Sequence, residues 1–173
     1  MSHYAQRPGP DEFAEYYAGY VAAVPDGDGV ATLRKQVEDA RARLGRVAEE
    51  RADSRYAPGK WTLKEVVGHV VDVEWVFTAR ALRFARGDAT ELPGVDQDVL
   101  VAGANFASRP LASMLDEWGH LRNANTALFA SLGPDQLDQR GVASGYAVSV
   151  RGILWIVAGH ARHHLGVIET RYL

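Results

Sequence analysis

Cysteine is absent from this 173-residue sequence. The chain therefore forms no disulfide, and it offers neither a thiolate metal ligand nor a cysteine nucleophile. Motifs of serine nucleophiles, Gly-rich phosphate loops and Gly-rich dinucleotide fingerprints are missing as well. If the protein performs thiol chemistry, the thiol must arrive with a substrate or a cosubstrate.

An excess of charge of one sign is also lacking. The sequence has 19 Lys and Arg against 22 Asp and Glu, a net charge of −3, and it contains no block of like charges. This balance gives no electrostatic basis for binding nucleic acid or an anionic membrane surface.

Long apolar runs are missing too. The first residues are polar and lack the apolar centre of a secretory signal. The longest apolar stretch, residues 152–159, is far shorter than the roughly 20 residues that a membrane-spanning helix needs. We therefore expect a cytoplasmic protein.

The chain does contain a strong helical pattern. Apolar residues recur at spacings of three and four, which predicts amphipathic helices. We expect one domain over residues 1–173: an approach segment with a short helix over 1–29, then an all-α four-helix bundle over 30–173. The predicted bundle helices run from about Val30 to Glu50, from Thr62 to Arg86, from near Ser108 to Leu132, and from Val150 to Tyr172.

Local signals mark the ends of these helices. Thr62 and Glu65 fit a capping box, in which each side chain accepts a hydrogen bond from a free backbone N–H. Gly87 suits a left-handed stop, and Pro110 suits the first turn of the third helix. Ser149 is expected to cap the fourth helix.

Two stretches interrupt the helical pattern. Residues 88–109 are rich in Pro, Gly, Asp and Asn, and a connection this long predicts either a crossover or a functional lid. Residues 141–150 favour a short extended piece before the last helix.

Two histidines of the fourth helix predict a metal site. On an ideal helix, His160 and His164 lie one turn apart, about 40° from each other around the axis. Both fall within the apolar stripe of that helix, whereas His163 falls on its flank. Buried imidazoles need partners, because a buried polar group without one is costly. A metal ion would be a partner for both rings.

His69, which lies among valines of the second helix, is the best candidate for a third ligand. Alone it would be interpreted as a core histidine bonded to a carbonyl. Together with the inward pair it favours a metal centre. Three imidazoles leave coordination positions open, as in catalytic sites, and they suit one divalent transition metal ion, with zinc or nickel as the first expectation.

The other histidines and the nearby carboxylates are weaker candidates for a role in the metal site. We expect His3 and His120 to be solvated, and His163 to lie at the surface or beside the ligands. Asp72 and Glu74 are close in sequence to the second-helix ligand. Either is a candidate for a carboxylate that holds an imidazole, although a solvated helix face is the first expectation for each.

Two segments carry a resemblance to a known family: GKWTLKEVVGHVVDVE and SVRGILWIVAGHARHHLGVI. With RALRFARGDATELPGVDQD and NFASRPL between them, the chain resembles the DinB-like branch of the DinB/YfiT-like superfamily of bacterial metalloproteins, over about residues 30–173. The resemblance implies a four-helix bundle with a long crossover, a metal held by His69, His160 and His164, and a homodimer.

Three functions are compatible with such a protein. Relatives include thiol S-transferases that use bacillithiol or mycothiol, so our first expectation is a metal-dependent enzyme whose metal activates a low-molecular-weight thiol. The alternative is a metal-dependent hydrolase that uses a metal-bound hydroxide, with Asp96 and Asp98 as candidate general bases. The third is a non-enzymatic metal-binding protein of the stress response. Trp61, Trp75 and Trp155 are candidates to line its closed pocket, although large aromatics at helical positions more often belong to the core.

Overall fold

Helices account for most of residues 2–173, the part of the chain that the computed structural model describes. The α-helices are α1 (Ala18–Ala23), α2 (Gly29–Leu44), α3 (Glu49–Ala52), α4 (Leu63–Ala85), α5 (Gln97–Gly103), α6 (Leu111–Ala130), α7 (Pro134–Leu137) and α8 (Val150–Arg171). The strands are β1 (Arg140–Ala143) and β2 (Tyr146–Ser149), and short 3₁₀ turns cover His3–Ala5, Pro10–Glu12, Glu15–Tyr17 and Phe106–Ser108.

The four long helices form a bundle in which α2 and α4 each pack against both α6 and α8. The first halves of α2 and α8 share one apolar cluster with the second half of α4, so α4 runs antiparallel to the other two. The first halves of α4 and α6 share the second cluster, so these two run in the same direction. The chain between them must therefore cross the length of the bundle, as expected. The prediction of an all-α bundle with a crossover is confirmed.

Most of the predicted helix ends are confirmed. Thr62 and Glu65 form the reciprocal capping box, with N–H to oxygen distances of 3.1 and 2.7 Å. Ser149 Oγ accepts a hydrogen bond from the N–H of Gly152 at 2.7 Å. Gly87 has a φ of 79°, the left-handed conformation that glycine adopts without steric cost. These signals are local, which is why the sequence alone was sufficient.

The first bundle helix ends earlier than predicted. It stops at Leu44, where the N–H of Gly45 bonds the carbonyl of Arg41, and the chain then turns before α3 begins at Glu49. Tertiary contacts hold α3 in place, since Glu49 Oε1 accepts the N–H of Leu111 and Glu49 Oε2 lies 2.7 Å from the ammonium of Lys64. Apolar periodicity cannot reveal such contacts.

The crossover is more structured than predicted. Asp96 caps the seven-residue helix α5 by accepting the N–H groups of Asp98 and Val99. The third bundle helix begins at Leu111 with Pro110 as its N-cap, and not near Ser108. The residue before a proline is held extended, and Arg109 (φ −105°, ψ 137°) separates the 3₁₀ turn from α6 for that reason.

Strands β1 and β2 form an antiparallel hairpin in which Arg140 pairs with Ser149 and Ala143 with Tyr146. This hairpin is the extended piece predicted near residues 141–150. The crossover is bonded to it, because Leu92 donates its N–H to Val142 and its carbonyl accepts the N–H of Ser144. Among residues 2–173, every helix falls short of the length or the hydropathy that a membrane span requires.

A buried ion pair joins α4 to α6. Arg122 and Glu74 are 0% and 2% exposed, and two guanidinium nitrogens of Arg122 lie 2.7 and 2.6 Å from the two carboxylate oxygens of Glu74. The same carboxylate accepts hydrogen bonds from Trp118 and Asn125 of α6. Arg122 also bonds Gln36 of α2. One ionic cluster therefore connects three of the four bundle helices.

The N-terminal segment packs against α8 through glycine. A Cβ at Gly159 would overlap the carbonyl of Tyr20, so α1 can approach α8 this closely only because Gly159 has no side chain. Gly166, two turns further along α8, has no neighbouring atom within 4 Å of the same hypothetical position. Both glycines lie inside α8, so they have the same secondary structure and differ only in the atoms around them.

We expect Gly159→Ala to lower the free energy of unfolding by about 1–3 kcal/mol, because the added methyl group overpacks the contact between α1 and α8. Gly166→Ala is the matched control and should raise the free energy of unfolding by up to about 1 kcal/mol, since alanine favours the helix. Urea unfolding followed by circular dichroism measures both. Stabilisation by Gly159→Ala would contradict the packing described here.

Candidate metal centre

The three predicted histidines meet between α4 and α8. His69 lies two turns into α4, while His160 and His164 lie one turn apart on the facing side of α8. One possible ligand atom from each ring lies within 4.8 Å of the others. The Nε2 atoms of His69 and His160 are 3.0 Å apart, and the ring centroids are separated by 4.5 to 4.9 Å.

The centre lies where the two apolar clusters of the bundle meet. Along α8 the boundary falls at His160, because Ala158 belongs to one cluster and Ala161 to the other. His69 and His160 are 2% and 7% exposed, and His164 is half-buried. The ring of Trp61 lies 4.8 Å from that of His69, and the ring of Tyr20 lies 5.5 Å from that of His160. Aromatic rings therefore shield the imidazoles from solvent.

Burial keeps the three imidazoles neutral. It lowers the pKa of His69 to about 4 and that of His164 to about 3, and it holds the pKa of His160 well below the ordinary value of 6.5. The neighbouring imidazoles lower the pKa of His160 and His164 further. A neutral imidazole has the free lone pair that a metal ligand requires.

The donor set fits a divalent transition metal ion. Zinc–nitrogen bonds of about 2.0–2.1 Å place two ligands of a tetrahedral ion roughly 3.3 Å apart, close to the 3.0 Å between His69 and His160. No carboxylate or fourth histidine joins the cluster among residues 2–173. Three protein ligands leave room for a water or a substrate atom, as in catalytic sites.

A glycine precedes each of two ligands, and each glycine makes room for a covering group. A Cβ at Gly68 would overlap the ring of Phe106 from the crossover, just as one at Gly159 would overlap the backbone of Tyr20. Sequence reasoning assigned Phe106 no role, and it expected Tyr20 only to help pack the N-terminal helix against the bundle. A Gly-His dipeptide in α4 and another in α8 were the available signal. A glycine beside a buried polar residue allows another segment to pack closely against the helix at that point.

The remaining histidines lie outside the cluster. His163 is exposed, with its ring 5.0 Å from that of His164 and 5.3 Å from that of Tyr20. His120 is exposed on α6, and His3 is exposed, with Nε2 3.2 Å from the carbonyl oxygen of Leu132. The selection of His164 over His163 by helical phase agrees with these positions.

The expectations for the two carboxylates of α4 were wrong for Glu74 and unsupported for Asp72. Glu74 holds no imidazole and is not solvated, since its carboxylate is buried against Arg122 and Trp118. Asp72 is half-buried on the side of α4 that faces Arg109 and Glu117, and burial and Glu117 raise its pKa. Neither carboxylate accepts a hydrogen bond from a ligand histidine among the described residues.

The two loop carboxylates have different roles. Asp96 caps α5 and is turned to the backbone of its own helix. Asp98, in the first turn of α5, lines a cavity together with His164, and its charge favours the protonated form of His69. Of the two candidates for a general base, only Asp98 lines a cavity together with one of the three histidines.

The three tryptophans that were candidates to line a pocket lie in three different environments. Trp61 contacts His69 and lines the cavity beside His164. Trp75 is 54% exposed on the outer face of α4, and Trp155 is buried in the core at 1% exposure. Trp61 therefore lines a cavity, as the first interpretation expected, and Trp155 belongs to the core, as the alternative expected, whereas Trp75 does neither.

Two cavities reach the histidines. The first, which we call the Arg80 cavity, has a volume of about 400 Å³ and is lined by Tyr16, Tyr17, Tyr20, Arg80 and Ser144 together with His69 and His160. The second, which we call the Trp61 cavity, has a volume of about 300 Å³ and is lined by Tyr56, Trp61, Asp98 and Tyr172 together with His164. The three histidines of the cluster thus line two cavities.

The buried histidines predict a pH dependence of folding in the metal-free protein. In the unfolded chain they bind protons below about pH 6.5, whereas in the folded protein His69 and His164 do so only near pH 4 and 3. The unfolded state therefore binds more protons between these values. We expect the free energy of unfolding to fall as the pH drops below 6.5, by up to about 1.4 kcal/mol per pH unit for each histidine.

Urea titrations between pH 7 and 5, above the range in which most carboxylates are protonated, measure this dependence. His69→Leu should have a shallower slope than the unmodified protein, and His163→Ala, which changes an exposed ring, should have the same slope. Equal slopes in all three proteins would show that the centre does not contribute.

Comparisons with known proteins agree with this fold. Residues 32–168, more than half of the chain, match the family described as the DinB superfamily. No curated protein matches the sequence. A solved structure matches with a TM-score of 0.74 and 16% sequence identity, over 95% of this chain and 90% of the other: YfiT from Bacillus subtilis, described as "a probable metal-dependent hydrolase with an unusual four-helix bundle topology". The chain described here belongs to the DinB superfamily.

Proposed function

We propose that the protein is a metal-dependent enzyme, and that it transfers a low-molecular-weight thiol to an electrophile. His69, His160 and His164 would hold one divalent transition metal ion, with zinc or nickel as the first expectation. Such an ion lowers the pKa of a thiol or water that coordinates to it. The chain has no cysteine of its own, so the thiol would come from a cosubstrate.

The observation that carries this proposal is that two cavities reach one histidine centre. His69 and His160 line the Arg80 cavity, whereas His164 lines the Trp61 cavity. A transferase must bring two reactants to the same atom, and two spaces that end at the same ligands allow this. A hydrolase needs room for one substrate and a water molecule.

The protein's own residues prepare the centre in two ways. Burial keeps the imidazoles unprotonated near neutral pH, so protons do not compete with a metal for their lone pairs. Trp61 and Tyr20 cover the rings of His69 and His160 and limit the access of water. Exclusion of water strengthens electrostatic interactions inside the site.

The metal ligands can be tested directly. We expect His160→Ala and His164→Ala each to abolish stoichiometric metal binding, because each removes one of three ligands, while far-ultraviolet circular dichroism stays close to that of the unmodified protein. His163→Ala is the matched control on the same helix and should retain the metal. Elemental analysis of the purified proteins measures the metal content. Unchanged metal in both ligand variants would show that the site is assigned wrongly.

The thiol reaction can be tested with the metallated protein. We expect conjugation of a generic electrophile to bacillithiol, mycothiol or glutathione to be faster than with free thiol and metal, and to be lost in His160→Ala. His163→Ala should remain active. The absence of rate enhancement with all three thiols would refute the transferase proposal.

A metal-dependent hydrolase is the second candidate, and the position of Asp98 favours it. Asp98 lines the Trp61 cavity together with His164, where a carboxylate could accept a proton from a water molecule. The description of YfiT as a probable metal-dependent hydrolase is consistent with this role. Turnover of acyl substrates without thiol, and its loss in Asp98→Asn, would favour hydrolysis over transfer.

The non-enzymatic alternative is the least well supported. It predicts a centre too enclosed for a substrate, whereas cavities of about 400 and 300 Å³ reach the three histidines.

A further inference from the structure

Arg80 is a buried cation without an anionic partner. It lies on α4 at 7% exposure, and its Nη2 donates hydrogen bonds to the carbonyl of Pro93 at 2.8 Å and to Ser144 Oγ at 3.2 Å. Both acceptors are uncharged. The buried Arg122 and Arg151, by contrast, pair with Glu74 and Glu12 at 2.6 and 2.9 Å. Among residues 2–173, Arg80 forms no ion pair.

A buried charge without a counter-charge is costly, and this cost is normally offset by pairing. The guanidinium of Arg80 also lies 5.4 Å from the ring centroid of Phe77. This cation–π contact offsets part of the cost of burying the charge. Neither this contact nor the two neutral hydrogen bonds removes the net positive charge. An anion from outside the protein would supply the missing partner.

The Arg80 cavity has the electrostatic character of an anion site. Its described lining contains tyrosine, histidine, apolar and small polar side chains, with Arg80 as the single charged residue and no Asp or Glu. The two histidines at its other end are neutral because of burial. A carboxylate or phosphate that enters this space therefore meets one positive charge and no repulsion from a fixed negative one.

The β-hairpin holds a polar side chain against Arg80. Ser144, in the turn between β1 and β2, has a φ of 55°, a left-handed conformation that is uncommon for serine. Its N–H bonds the carbonyl of Leu92 at 3.0 Å, and the N–H of Leu92 bonds the carbonyl of Val142 at 2.9 Å. The crossover thus fixes the turn and places Ser144 Oγ within hydrogen-bonding distance of the guanidinium.

We propose that Arg80, assisted by Ser144, binds an anionic group, a carboxylate or a phosphate, on the small molecule whose other end reaches the histidines. A guanidinium suits this role because its planar donors match both anions. His69 and Arg80 are eleven residues apart on α4, a rise of about 16 Å between their Cα atoms at 1.5 Å per residue. The Arg80 side chain reaches back toward Phe77, so the ligand has to span the part of this length that the two side chains leave between them. The inference rests on the proposed function only for the identity of the reacting end.

Anion binding can be measured without turnover. The protein is depleted of metal with a chelator and dialysed, and it is then titrated with inorganic phosphate and, separately, with succinate in an NMR experiment that follows the amide resonances of Ser144 and Gly145. We expect saturable binding of at least one anion, weakened about tenfold or more in Arg80→Gln, since hydrogen bonds between charged groups are among the strongest. Arg80→Lys keeps the charge but loses the planar arrangement of donors. Its affinity for the anion should therefore lie between those of the unmodified protein and Arg80→Gln. The anion that binds more tightly identifies the chemical class.

Arg86→Gln is the matched control, because Arg86 is an exposed arginine at the C-cap of the same helix. It should bind both anions as the unmodified protein does. If Arg80→Gln does not fold, Ser144→Ala gives the same test, and weaker binding in that variant supports the proposal. No binding of either anion by the unmodified protein, affinity unchanged in the site variants, or equal weakening in Arg86→Gln would each overturn it. Because the protein in this experiment lacks metal and performs no reaction, its failure would leave the transferase and hydrolase tests unaffected.

Discussion

The position of the histidine centre depends on the buried ion pair between Glu74 and Arg122. A buried pair of charges adds little net stability, because desolvation offsets the attraction, but removing one partner is costly and the geometry is demanding. The pair therefore restricts how α4, α6 and α2 can slide past one another. Gln36 extends this constraint to α8, since its amide bonds the carbonyl of Ala158 at 2.7 Å, two residues before His160.

Burial of the three histidines imposes a second constraint, because segments of the chain must cover the imidazoles to keep them neutral. The crossover contributes Phe106 over Gly68, and the N-terminal segment contributes Tyr20 over Gly159. Neither covering segment belongs to the four long helices. The parts of the chain outside the bundle thus contribute to the burial that lowers the pKa of the histidines, whereas the bundle determines their mutual distance.

Sequence reasoning succeeded where the governing interaction was local. The capping box at Thr62, the left-handed Gly87 and the phase that selects His164 over His163 all involve residues within one or two helical turns. It failed where the partner is distant in sequence. Glu74 was expected to be solvated because its partner Arg122 lies 48 residues away, and the break at Leu44 depends on contacts of α3 with α4 and α6. The metal, the substrate, the homodimer and the cytoplasmic location stay predictions.

One face of α4 connects the two ends of the Arg80 cavity. His69, Val73, Phe77 and Arg80 follow one another at spacings of four, four and three, so they share this face and line the same space. A helix is a stiff element, and groups placed on it keep their separation more precisely than groups on loops. Helix geometry therefore fixes the separation of the Cα atoms of His69 and Arg80, while Pro93 of the crossover and Ser144 of the hairpin turn hold the guanidinium itself. A metal ion at one end and Arg80 at the other would make both ends of the cavity positive. The molecule that fits best would then carry negative charge at both of its ends, and a thiolate with a remote carboxylate meets that requirement.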